Sequence, residues 1–156
     1  LILSPLGNLN QRLEANQVKR NAFFSGDELG GYTMDWQNYY LMSNWAADNL
    51  PDDAQVGVRK YGTSIVFTNG KEIFQSFHRS TRESGEVVLQ QLKERGTTHL
   101  MACSLRINPR QAVEGQIITT LYSYLSSLYQ YDPTTLTIVH QIGESEPCTL
   151  YQINYN

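Results

Sequence analysis

Apolar positions recur along the chain with two alternating periods, and that alternation predicts the fold class. From Asp35 onward, Trp36, Tyr39, Tyr40, Ser43, Ala47 and Leu50 follow helical spacing. Asp35 is suited to cap this helix, because its carboxylate can accept an orphan backbone N–H. Pro51 ends it, since the residue before a proline avoids the helical region. Residues Ala54–Arg59 read as a short strand with Val56 and Val58 on one face. Residues 61–70 support two readings. Ile65-Val66-Phe67-Thr68 before Asn69-Gly70 fits a hairpin, with Ile73, Gln75 and Phe77 alternating in its second strand. The same residues fit a short helix closed by Gly70 at its C′ position.

The pattern continues with a helix, a strand, a helix and two strands. Ser80 and Glu83 stand three apart as in a capping box. Val88, Leu89 and Leu92 make the apolar face behind them, and Gly96 is a natural stop. Thr98–Ile107 alternates with apolar residues on both faces, which predicts a central, covered strand. Pro109 opens a loop. Ile117, Leu121, Leu125 and Leu128 then form one helical stripe flanked by Tyr122 and Tyr129, and Pro133 closes it. Leu136–Ile142 and Thr149–Ile153 are strands joined by a hairpin turn. The order predicts an α/β, three-layer-like sandwich with a mainly parallel sheet and a C-terminal antiparallel hairpin at its edge. Residues 35–156 form one such domain. Residues 1–34 are an irregular lead-in, in which Leu6, Leu9 and Leu13 make a weak helical stripe.

Composition narrows the classes of function. At 156 residues the chain suffices for one core without staples. With 12 Lys and Arg against 15 Asp and Glu, the net charge is −3, and no basic cluster exceeds a pair, so nucleic acid is excluded as a partner. No run of apolar residues is long enough to cross a membrane. The chain opens Leu1-Ile2-Leu3-Ser4-Pro5, without Met or a basic leader, and is expected to be a piece of a longer protein or a cleaved product. Ten Tyr, five Phe and two Trp make it aromatic-rich, a composition suited to half-wet surfaces.

Candidate chemistry is sparse. Gly26, Gly30 and Gly31 lack the order of a phosphate loop. His78, His99 and His140 fall on separate strands with no metal-ligand spacing, so neither a metal nor a cofactor is expected. Cys103 sits mid-strand between Met101 and Leu105, where a buried thiol acts as a small hydrophobe rather than a nucleophile. A bridge to Cys148 would require the two strands to be neighbours. Acids Asp27-Glu28, Asp52-Asp53 and Glu144/Glu146 fall in turns and read as solvated. One constellation stands out: Arg59-Lys60 at the carboxyl end of the first strand, where open α/β sheets bind ligands. Tyr61 and Arg106, the latter at the end of a later strand, would line the same edge. These four are the candidate binding residues, suited to a phosphate or carboxylate or, more simply, to fixing the strand end.

Six segments in order resemble a known domain. Trp45-Ala46-Ala47-Asp48-Asn49-Leu50-Pro51, followed by Asp53-Ala54-Gln55-Val56-Gly57-Val58-Arg59-Lys60, is similar to the start of the C-terminal extracytoplasmic domain of bacterial GT-C type membrane glycosyltransferases, relatives of dolichyl-phosphate-mannose protein mannosyltransferases. Phe67–Lys71, Leu92–Leu100, Leu136–His140 and Cys148–Ile153 continue the likeness over residues 35–156. Tyr61 departs from it, since a proline is common at that position. The resemblance implies a non-catalytic, periplasm-facing domain of a transferase that uses a lipid-linked sugar donor. It implies tethering to the inner membrane by the parent chain, whose membrane region would be its partner, together with a lipid-linked sugar or the acceptor. It transfers no catalytic residue and favours the helical reading of residues 62–69. The alternative is a free-standing α/β binding module for an anionic ligand at Arg59 and Lys60.

Overall fold

The computed structural model describes residues 26, 29–105, 120–144 and 146–155. Helix α1 (Met34–Asn49) leads into β1 (Val56–Val58), α2 (Tyr61–Phe67), β2 (Phe74–Ser76), α3 (Gly85–Glu94) and β3 (His99–Cys103). Then come α4 (Leu121–Tyr131), a 3-10 turn (Pro133–Thr135), β4 (Leu136–Ile142) and β5 (Cys148–Ile153). The five strands form one sheet in the order β2-β1-β3-β5-β4. β1 runs parallel to β2 and β3, while β5 runs antiparallel to both β3 and β4. All the strands except β5 therefore point the same way. This is the mainly parallel α/β sandwich that the periodicity predicts, with β5 turned inward and β4 at the edge.

Helices cover both faces, each over its own core. On one face, Tyr39, Met42 and Ala46 of α1 pack on Val56, Val58, Phe74, Met101 and Leu150, with Ile65 and Phe67 of α2 against them. On the other, Val88 and Leu92 of α3 and Leu121 and Leu128 of α4 pack on Leu100, Ile153 and Phe77. The chain steps from β1 to β2 through α2 on the first face. It returns past β1 to β3 through α3 on the second. Reversing both direction and face keeps the two crossovers of one hand, as strand twist requires.

Local chemistry departs from expectation at several ends. α1 begins at Met34, so Asp35 is not its cap but a buried first-turn carboxylate that accepts a hydrogen bond from the Thr33 hydroxyl. Residues 61–67 are helix, not hairpin. Gly70 N donates to Ile65 O (2.9 Å) and Asn69 N to Val66 O (3.4 Å), closing the helix with Asn69, at φ 53°, in the left-handed C′ place assigned to Gly70. The capping box fails too. α3 starts at Gly85, behind Ser84, while Thr81 Oγ1 accepts from Glu83 N in a local turn. Gly96, at φ 66°, does stop α3, with Thr97 N donating to Leu92 O. Ile107, Pro109 and Ile117, the Leu6–Leu13 stripe and most of the 1–34 lead-in lie outside the described residues.

Cys103 and Cys148 form a disulfide. The reading of Cys103 as a free buried hydrophobe is thereby corrected. The cause is register: β5 inserts between β3 and β4, which sets Cys103 directly opposite Cys148 on the first face. The bridge joins positions 45 residues apart at the end of the β3–β5 pairing, and both cysteines are buried.

His99 is buried on β3, with its Nδ1 2.8 Å from Thr98 Oγ1. Desolvation holds its pKa below the ordinary 6.5. The folded form therefore keeps His99 neutral where the unfolded chain already takes up a proton. This contribution is fully present above 6.5 and is lost as pH falls from there toward the folded-state value. Chemical denaturation between about pH 7.5 and about pH 5 is expected to show stability falling with acid, and His99→Gln should flatten that slope. Equal slopes in the two proteins would refute the assignment.

Candidate functional site

The chain leaves β1 toward β2 on one side, and the sheet continues to β3 on the other. The carboxyl ends of β1 and β3 thus flank the point where strand order reverses, the place where open α/β sheets form a crevice. Arg59 and Lys60 stand at that end of β1, directly before α2. Arg59 is half-buried, and its Nη1 donates to Leu105 O, just past β3, at 3.5 Å. Lys60 and Tyr61 are exposed, Tyr61 as the first residue of α2. Of the four residues that the sequence nominates, the structure groups these three at one edge. Arg106 lies outside the described residues.

Beneath this edge lies a polar cluster that sequence reasoning missed. The Tyr39 hydroxyl donates to Lys60 O (3.2 Å) and lies 2.8 Å from Ser64 Oγ. Ser43 Oγ donates to Tyr39 O (2.8 Å) and reaches Ser64 Oγ at 3.5 Å. Burial pushes the Tyr39 phenol up to about 12, against the opposing pull of Ser64, the Lys60 backbone and the Arg59 charge. Tyr39 is therefore a neutral donor that pins the Lys60 carbonyl and hence the β1–α2 corner. Asn38, one residue earlier, donates from Nδ2 to Glu146 O (2.8 Å), tying α1 to the β4–β5 turn. The available signal was Tyr39 and Ser43, four apart along one helical face. It was legible only as part of an apolar stripe.

The arrangement can hold an anion at an exposed cation beside a rigid strand end. It presents no nucleophile with its base. Ser64 is fully buried, Cys103 is spent in the disulfide, and among the described residues no three His, Cys, Asp or Glu gather as metal ligands. Among the same residues no helix is long and apolar enough to cross a membrane. The fold is that of an α/β domain, with Arg59, Lys60 and Tyr61 gathered at its β1–α2 corner. No family model matches the chain, and neither a curated protein nor a solved structure matches it.

Proposed function

We propose that this chain is a non-catalytic, extracytoplasmic domain of a bacterial membrane glycosyltransferase that uses a lipid-linked sugar donor, with acceptor or partner contact as its task. The observation that carries this reading is the Cys103–Cys148 disulfide, which suits an oxidising compartment and withdraws the thiol that a cysteine hydrolase would need. The resembling segments support it as well. They coincide with the end of α1, with β1, with the close of α2, with α3 running into β3, and with β4 and β5. The test has two arms. The isolated chain is expected to transfer no sugar from a polyprenyl-phosphate donor, and turnover by it would sink the non-catalytic assignment. An alkaline phosphatase fusion to the parent chain at this domain should be active, and an inactive fusion would sink the extracytoplasmic one.

A second reading, an anion-binding module, is favoured by the position of Lys60 at the switch point. Here the two cations separate. Arg59→Ala removes a charged donor from Leu105 O and should cost about 1 kcal/mol. Lys60→Ala should stay within about 0.5 kcal/mol, since its side chain is exposed. Thermal melts with inorganic phosphate decide the rest. If the corner binds anions, phosphate raises the midpoint of the unaltered chain and not that of Lys60→Ala. Equal response of the two would refute an anion site built on Lys60.

A further inference from the structure

The far side of the sheet carries a surface of unusual composition. None of the chain's 12 Lys and Arg or 15 Asp and Glu lies in α4, β4 or β5. Yet this region is far from buried. Tyr122 and Tyr129, two helical turns apart, are 61% and 62% exposed, and Ile138 is 58% exposed. Between α4 and the outer strands runs a groove of about 440 Å³, lined by Tyr122, Leu125, Tyr129, Leu136, Ile138 and Tyr151. Ordinary surfaces of a soluble domain are rich in charge, whereas interface cores are depleted of it and enriched in Tyr. The groove borders β4, the last strand of the sheet, whose only partner among the described strands is β5. Seven residues long, without Lys or Pro, β4 keeps few of the usual guards against edge pairing.

We infer that β4 and the tyrosine-bearing side of α4 form a homodimer interface, in which two copies of this chain pair β4 edge to edge about a two-fold axis. The chemistry selects the occupant. A strand edge is satisfied by another strand, through main-chain hydrogen bonds. An uncharged lining rejects a charged occupant, whose groups would be desolvated without a partner. It also lacks the Lys and Arg that hold a helix face on anionic lipid. β4 itself, Leu-Thr-Ile-Val-His-Gln-Ile, is an extended strand without Asp, Glu, Lys or Arg, of the kind required. Antiparallel self-pairing places no like charges opposite one another. A two-fold axis normal to the sheet keeps both copies of α4 on one face, so the two grooves open toward each other. The register shift between Ile138 and His140 bends the strand there. The ladder between copies is therefore short, and the Tyr122, Tyr129 and Ile138 side chains supply most of the contact.

Sedimentation velocity of the chain from about 1 to about 100 μM should show a concentration-dependent dimer. Amide exchange should show β4 gaining protection over the same range. Ile138→Lys brings like charges to the axis and should weaken dimerisation at least about tenfold while the melting temperature and circular dichroism of the monomer hold. Tyr129→Glu, on the helix, should do the same, and Lys71→Glu, away from this face, should not. A monomer throughout the range would overturn the inference, as would a dimer that both variants leave intact. So would a monomer that floats with phosphatidylcholine vesicles through Tyr129, because that outcome assigns the face to lipid.

Discussion

Replacing both Cys103 and Cys148 by alanine is expected to cost about 2–4 kcal/mol of stability. The bridge closes a loop spanning 45 positions. In the chain-entropy account, releasing a loop of that length returns about 4 kcal/mol to the unfolded ensemble. Both side chains are buried against Met101 and Leu150, so the alanine pair also loses some packing. For a chain of this size each kcal/mol moves the midpoint by about 2–4 °C, which gives a fall of roughly 10 °C. Calorimetry of the double variant beside the oxidised chain measures it. Adding a reductant to the unaltered chain should bring the two curves toward each other. Thiol titration of the unfolded, unreduced protein should find no free thiol. Two titratable thiols together with a reductant-insensitive midpoint would show that the bridge does not form.

The same bond bears on where the protein works. In a reducing compartment this contribution would be withdrawn and the sheet would rely on its ladder hydrogen bonds and packing. The proposed extracytoplasmic placement and the reliance of the β3–β5 seam on the bridge are therefore mutually consistent. Reduction should loosen the β3–β5 seam first, and with it the anchorage of β4. A dimer formed through β4 would then weaken under reductant, although neither cysteine lies at the proposed contact.

Much of the scaffold was legible because periodicity reports burial. Val56 and Val58 share a face, β3 is covered on both sides, and Leu121 and Leu128 point into the second core, as their spacing requires. What stayed hidden was set by contacts distant in sequence. Cys103 and Cys148 meet only because β5 inserts beside β3, a choice of strand order that no local pattern encodes. The polar cluster under Lys60 joins Tyr39 and Ser43 of α1 to Ser64 of α2, and each of these reads alone as an ordinary helical residue. Residues 61–70 carried β-branched side chains and an Asn-Gly pair, yet 61–67 folded as helix. Helix was favoured because Ile65 and Phe67 bury against the first core and the Asn-Gly pair serves as a helix stop. The capping box at Ser80 and Glu83 lost to Gly85, whose role depends on the neighbouring helix.

Gly85→Ala is expected to destabilise the domain by about 1–3 kcal/mol, although alanine is the better helix former. Two effects oppose each other. Within a helix, alanine gains up to about 1 kcal/mol over glycine, and less at a first-turn position such as this one. Against that, a Cβ at Gly85 would stand 2.2 Å from Ser127 O and 2.3 Å from Tyr131 Cβ. The first is a backbone atom of α4 and the second is fixed to that backbone, so no rotamer change relieves them. α3 and α4 would have to separate, and the second core, built on Val88, Leu92, Leu121 and Leu128 between these helices, would loosen with them. The hydrogen bonds from Ser127 Oγ to Glu83 O and from Thr81 N to Ser123 Oγ would stretch in the same movement. The clash outweighs the propensity gain. Equilibrium denaturation of Gly85→Ala should show a lower midpoint with an unchanged slope. The same substitution at Gly62, where a Cβ meets nothing within 4 Å, should be neutral or stabilising. A Gly85→Ala protein as stable as the parent would mean that α3 and α4 do not approach as closely as the structure places them.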